Sequence, residues 1–289
     1  ERSAIVGTVE QSVNGGFHRD GGWLCRRHPH PTRAPHVRSG NPALSDSTFL
    51  DPGSGTMVSR GAGAMTLNGT VNKTGLPLLL AVLTATFAWN QALTDTGELA
   101  SGARLYLWGG LIGGFVLAMV TLFKKRWAPV SAPLHALLEG LFLGTIPALY
   151  EARFDGIVLQ AVLLTFDTLF ALLFAYRSGL IKATGNFRLG VVAATGGTAL
   201  VYLAPLVPGL FNINIPFIHD SGLIGIGFSL FVVVIAALNL VLDFDFIESG
   251  VEAGAPKYME WYGAFGLMVT LVWLYIEFLR RLSKLQSRN

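Results

Sequence analysis

The residues that could carry chemistry in this 289-residue chain are carboxylates, and one histidine, set inside long apolar runs. His135 and Glu139 are four apart, so on a helix they share a face and form a polar stripe. Such a stripe either serves a proton or cation path or forms an internal hydrogen-bonded pair that fixes packing. The run Leu242-Asp-Phe-Asp-Phe-Ile-Glu248 brings three carboxylates within two helical turns. Asp243 follows Asn239 by one turn on the same face, whereas Asp245 points to the other side and neighbours Glu248. Asp243 is therefore the better interior group, and Asp245 and Glu248 read as charges marking where a helix leaves its apolar surroundings. Glu277 precedes Arg280 and Arg281 at i+3 and i+4, the spacing of a local ion pair. Asp167, within Thr-Phe-Asp-Thr-Leu-Phe, is either a functional group or an individual substitution.

The usual catalytic assemblies are missing. The apolar part contains no phosphate-binding loop, HExxH, GxSxG or Cys/His cluster, so hydrolase, NTPase and metalloenzyme chemistry lack their parts. Asp167 and Asp243 do not sit in the motifs of an aspartyl intramembrane protease, and the expectation is a protein that is not an enzyme and holds no cofactor. One cysteine, Cys25, excludes an internal disulfide and a CxxC redox site. Cys25, His28 and His30 lie in a Pro-rich stretch without a fourth well-spaced metal ligand.

The elements that must position these groups are membrane helices. Hydrophobic residues make up 52% of the chain and charged residues only 13%, with a mean hydropathy of +0.52, too little polar surface for a water-soluble fold. Residues 1 to about 65, rich in Gly, Pro, Ser, Arg and His, read as a disordered tail, and the first methionine, Met57, leaves open that part of it is non-native. From there to residue 289 the chain reads as one membrane domain. Seven segments have spanning length: 74–93, 105–123, 132–150, 156–176, 189–211, 222–246 and 261–282. Carboxylates inside such spans cost about 2.5–3.5 kcal/mol each at the centre, so they are expected to face a protein interior or a water-filled path. Glycine pairs at 109/113, 110/114 and 140/144, with Gly196 and Gly197, predict close helix approach, and Pro205 and Pro208 predict a kink closing the fifth span.

Loop charge sets orientation. Lys124, Lys125 and Arg126 follow the second span, and Arg177, Lys182 and Arg188 follow the fourth, which puts those loops and the N-terminus in the cytoplasm. Seven crossings then place Arg280, Arg281, Lys284 and Arg288 outside, against the same rule. Either the last segment is re-entrant or these charges are tolerated, and its length favours a full crossing. The net charge of +3 and pI near 9.1 follow from this scatter of loop charges and predict no nucleic-acid partner. The acidic end of the sixth span and the basic end of the second share the cytoplasmic side, where a salt bridge could close a path.

Three stretches, Ala136-Leu-Leu-Glu-Gly-Leu-Phe-Leu-Gly144, Asn239-Leu-Val-Leu-Asp-Phe-Asp-Phe-Ile247 and Leu271-Val-Trp-Leu-Tyr275, resemble the Bax inhibitor-1/YccA family. The chain is most similar to a bacterial branch carrying Gly254-Ala-Pro-Lys-Tyr-Met-Glu-Trp261, and the likeness spans residues 40–285. The resemblance implies a seven-helix bundle in which two groups of three helices surround the C-terminal one. It also implies a bacterial inner-membrane location and, in some members, a pH-sensitive calcium leak. In those members aspartates on the sixth and seventh helices share a proton and exchange an arginine partner. The sixth-helix aspartate maps onto Asp243, but the seventh-helix position falls near Thr270. Glu139, Asp245 or Glu260 would have to substitute, or this branch does not conduct calcium. Arg126 or Lys125 occupies the region of the basic partner, and Glu277 is a further gating candidate. The expected function is a cation leak, with calcium as the transported ion, gated by protonation of intramembrane carboxylates. The alternative is a non-conducting protein that modulates a membrane protease or another membrane partner, as YccA members suggest. A proton-coupled transporter is a third reading, without an internal repeat to support it.

Overall fold

In the computed structural model, residues 63–94, 96–203 and 223–287 are described, and among them every long element is an α-helix. The seven helices are α1 (Leu67–Trp89), α2 (Ala103–Phe123), α3 (Ala128–Glu151), α4 (Ile157–Arg177), α5 (Gly185–Leu203), α6 (Leu223–Glu252) and α7 (Met259–Gln286). A single 3-10 turn, Lys125–Trp127, joins α2 to α3. Six of the seven, all but α5, are long and apolar enough to cross a membrane. The fifth predicted segment, 189–211, is described only to Leu203, and Pro205 and Pro208 lie outside the described residues, as do the tail residues 1–62.

Packing divides the helices into α1–α3 and α4–α6, with α7 against α1, α3, α4 and α6. Burial follows this plan: 72% of the apolar window of α6 and of α7 is buried, against 17% in α2 and in α4, which leave most of their surface outward. The last segment is one unbroken helix of 28 residues, about 42 Å long, which favours a crossing over a re-entrant hairpin.

The glycines of α3 and α2 determine how closely the first three helices meet. A Cβ on Gly140 would collide with Thr84 Oγ1 and the Ala81 carbonyl of α1, and one on Gly144 with the Ala85 carbonyl. A Cβ on Gly110 would lie 2.7 Å from the Leu138 carbonyl oxygen, and one on Gly113 2.7 Å from Leu138 Cδ1. In lipid, where apolar surface gives no drive for association, such backbone approach is what holds helices together. The same expectation fails at Gly109, Gly196 and Gly197, where an added Cβ meets nothing within 4 Å. Those glycines point away from the described helices, so their spacing alone did not create a contact.

Helix α1 begins seven residues earlier than the hydropathy of 74–93 suggests, because a cap overrides composition. Thr66 Oγ1 accepts the Gly69 N–H at 3.0 Å, and the polar turn Asn68–Lys73 is held helical from there. The short link between α3 and α4 is closed similarly. Glu151 accepts the Gly156 N–H at 2.6 Å and the Val158 N–H at 3.0 Å, while Gly156 takes φ +78°, a left-handed conformation that glycine adopts without a Cβ clash.

Candidate ion site

The start of α1, the end of α2, the start of α3, the ends of α4 and α6 and the starts of α5 and α7 meet at one end of the bundle, the near end. A buried cluster of Met65, Ala128, Ala132, Phe246, Ile247 and Met259 ties four of these termini together. Both basic loops, Lys124–Arg126 and Arg177–Arg188, emerge here.

Asp243 has no exposed surface, and Asn239, one turn before it, is equally enclosed. Asn239 Nδ2 donates to Thr195 Oγ1 of α5 at 2.7 Å and to the Ile235 carbonyl at 2.8 Å, so this face of α6 is turned to protein. Thr270 is buried on α7, the helix that α6 packs against.

Asp245 does not pair locally with Glu248. Arg188, at the start of α5, donates from Nη2 to its carboxylate, 2.9 Å from Oδ1 and 2.8 Å from Oδ2. Glu248 instead accepts the Tyr176 hydroxyl of α4. The two carboxylates therefore tie α6 to α5 and to α4, rather than simply marking a helix end. Arg188, a loop charge by its place in the sequence, lies one turn inside α5, and no local spacing links it to Asp245. Lys125 and Arg126 belong to the near end as well, Lys125 half-buried and Arg126 exposed on the 3-10 turn.

Glu260 stands at the near end, where the chain enters α7. It occupies the first turn of α7 with no exposed surface, bonded to Lys73 of α1 and accepting both the N–H and the hydroxyl of Thr66 at 2.9 Å. A capping box normally takes its carboxylate from three residues on, but here α7 supplies it to α1. Gly69 leaves the room it needs, since a Cβ there would strike the Glu260 carboxylate. Backbone bonds from Met65 N–H to the Ala255 carbonyl (2.7 Å) and from Lys257 N–H to the Gly63 carbonyl (3.0 Å) continue the seam.

His135 and Glu139 lie deeper, between α2, α3 and α7. His135 Nδ1 is 3.0 Å from the Gly114 carbonyl, to which it donates, leaving Nε2 toward Glu139 Oε2 at 3.7 Å. The ring stands edge-on to Phe265 of α7, with centroids 5.1 Å apart. Gly114 makes this fit, since a Cβ there would lie 3.3 Å from Glu139 Oε2.

Glu277 is at the opposite end, buried, 3.7 Å from Arg280 and accepting the Tyr202 hydroxyl at 3.0 Å. Arg280 also stacks over the Tyr202 ring at 5.0 Å. At least one of the C-terminal charges that conflict with the loop-charge rule is thus neutralised locally. Asp167 departs from the expectation that carboxylates in spans face inward, because it is exposed on the outer side of α4. Among the described residues no group of three or more His, Cys, Asp or Glu side chains converges as a metal site, and Cys25, His28 and His30 lie outside them.

An all-helical bundle with six spanning helices and carboxylates enclosed between them defines an integral membrane protein of the lipid bilayer. The chain matches the Bax inhibitor 1 like family over residues 27–287, and it belongs to that family. Comparison with curated proteins and with solved structures returns no match.

Proposed function

We propose that the protein is a pH-sensitive cation leak of the inner membrane, passing calcium, in which the protonation state of Asp243 decides whether the near end is closed. The observation that carries this reading is the complete burial of Asp243 within a spanning helix. A carboxylate there is costly when ionised, so its protonation couples directly to how α6 packs on its neighbours. The Asp245–Arg188 pair, half a turn away, supplies a cation that can exchange between carboxylates. His135 and Glu139, paired deeper in the bundle, are the next polar groups along α3, and Lys125 and Arg126 stand at the near end, which this reading makes the cytoplasmic mouth. With Thr270 in place of a seventh-helix carboxylate, Asp243 acts with Asp245 and Glu139 rather than as half of an α6–α7 pair.

The test is calcium flux into liposomes holding the purified protein, measured against pH. The wild type is expected to change flux between neutral and acidic pH, and Asp243→Asn, which fixes a neutral side chain, to lose that dependence. Flux equal to that of empty liposomes at every pH sinks the proposal. Such a result together with a stable co-purifying membrane protease whose activity changes on addition of this protein would return the non-conducting reading.

A further inference from the structure

Between α1 and α4 the two three-helix groups leave a lateral slot with α7 as its floor. It consists of two cavities, about 460 and 980 Å³, which share Leu78 on their walls. Both volumes fall in the range of ligand pockets. The smaller runs toward the far end between Val82 and Val162 over Leu271 and is almost entirely apolar. The larger opens at the near end, with Val71, Leu173 and Leu267 forming apolar walls. Its lips lie on the outer surface of the bundle: Val71 is 63% and Phe170 62% exposed.

Four charged residues line the larger cavity. Asp245 is neutralised by Arg188, and Glu248 accepts the Tyr176 hydroxyl. Arg177 and Lys182 are exposed at the rim and form no ion pair with a described residue. The site therefore offers a long apolar trough that ends in two cations at membrane-surface depth. A ligand that matches it has apolar chains and an anionic head, and it can enter sideways from the bilayer without crossing water.

We infer that this slot binds a diacyl phospholipid with an anionic headgroup, its phosphate at Arg177 and Lys182 and an acyl chain lying along α7 between α1 and α4. The lipid fills the seam between the two helix groups. The full-length protein in detergent would be titrated with phosphatidylglycerol, phosphatidylcholine or glycerol phosphate, and bound mass and thermal unfolding followed by native mass spectrometry and thermal shift. Phosphatidylglycerol is expected to stay bound, raise the unfolding temperature and bind about tenfold or more tightly than phosphatidylcholine, as two interfacial cations imply. Arg177→Gln with Lys182→Gln should abolish that preference while leaving the lipid-free unfolding temperature unchanged. Val71→Trp, which narrows the lip, should weaken both lipids alike. Equal affinity of the wild type for the two lipids overturns the assignment, as does a preference that survives in the double variant. Displacement of phosphatidylglycerol by equimolar glycerol phosphate would make the site one for a free anion, and a lipid-independent dimer would place a second copy in the slot. Either result overturns it too.

Discussion

Glu260 shows what a single buried charge does in this bundle. Its carboxylate, 1% exposed, accepts from Thr66 and pairs with Lys73, whose side chain is 21% exposed. Removing one partner of such a pair strands the other, a loss of about 3 kcal/mol or more. Lys73→Met should therefore lower the unfolding temperature in detergent more than Glu260→Gln, whose amide oxygen still accepts from Thr66. The double variant should cost less than the sum, and strict additivity would show that the pair is not coupled. The same reasoning applies to Arg188. Arg188→Gln leaves the Asp245 carboxylate enclosed and unneutralised and should destabilise by about 2–4 kcal/mol, with Asp245→Asn in the same chain restoring part of it. If the second substitution makes unfolding worse, the ion pair is not what holds α5 to α6.

At the scale of helices, glycine spacing predicts contact only where a neighbour lies opposite. Gly140 and Gly196 both stand in apolar helices, yet a Cβ at Gly140 collides with the α1 backbone and one at Gly196 meets open space. Gly140→Ala should cost about 2 kcal/mol or more through forced separation of α1 and α3. Gly196→Ala should be neutral or stabilising by up to about 1 kcal/mol, because alanine forms helix more readily. Thermal unfolding of the two variants side by side checks this, and equal effects would mean that α1 and α3 do not pack through Gly140. The early start of α1 was equally hidden from hydropathy. Asn68 and Lys73 make its first turns polar, and the Thr66 cap together with Glu260 from the far side of the chain keeps them helical.

For the whole molecule, the loop-charge reading puts the near end in the cytoplasm and the far end outside. Loops after α2 and α4 leave at the near end, whereas α7 ends at the far end, where Lys284 Nζ approaches the Gly225 carbonyl at 3.4 Å. In a Cys25→Ser background, Ser178→Cys should react with a membrane-impermeant thiol reagent only from the cytoplasmic side and Ser287→Cys only from the outer side. Labelling of both from the same side would reverse the crossing of α7. The membrane class, the family and the seven helices found among the described residues were legible in the sequence by itself, because apolar run length and local motifs do not depend on distant residues, whereas Asp167, an expected interior carboxylate, is exposed on α4. Which cation meets which carboxylate was decided only by the tertiary structure. Arg188 and Asp245 are 57 positions apart and Lys73 and Glu260 187 apart, and no helical period links partners on different elements. The open seam between α1 and α4 belongs to the same level. It exists because α7 separates the two helix groups, and nothing in either helix taken alone announces it.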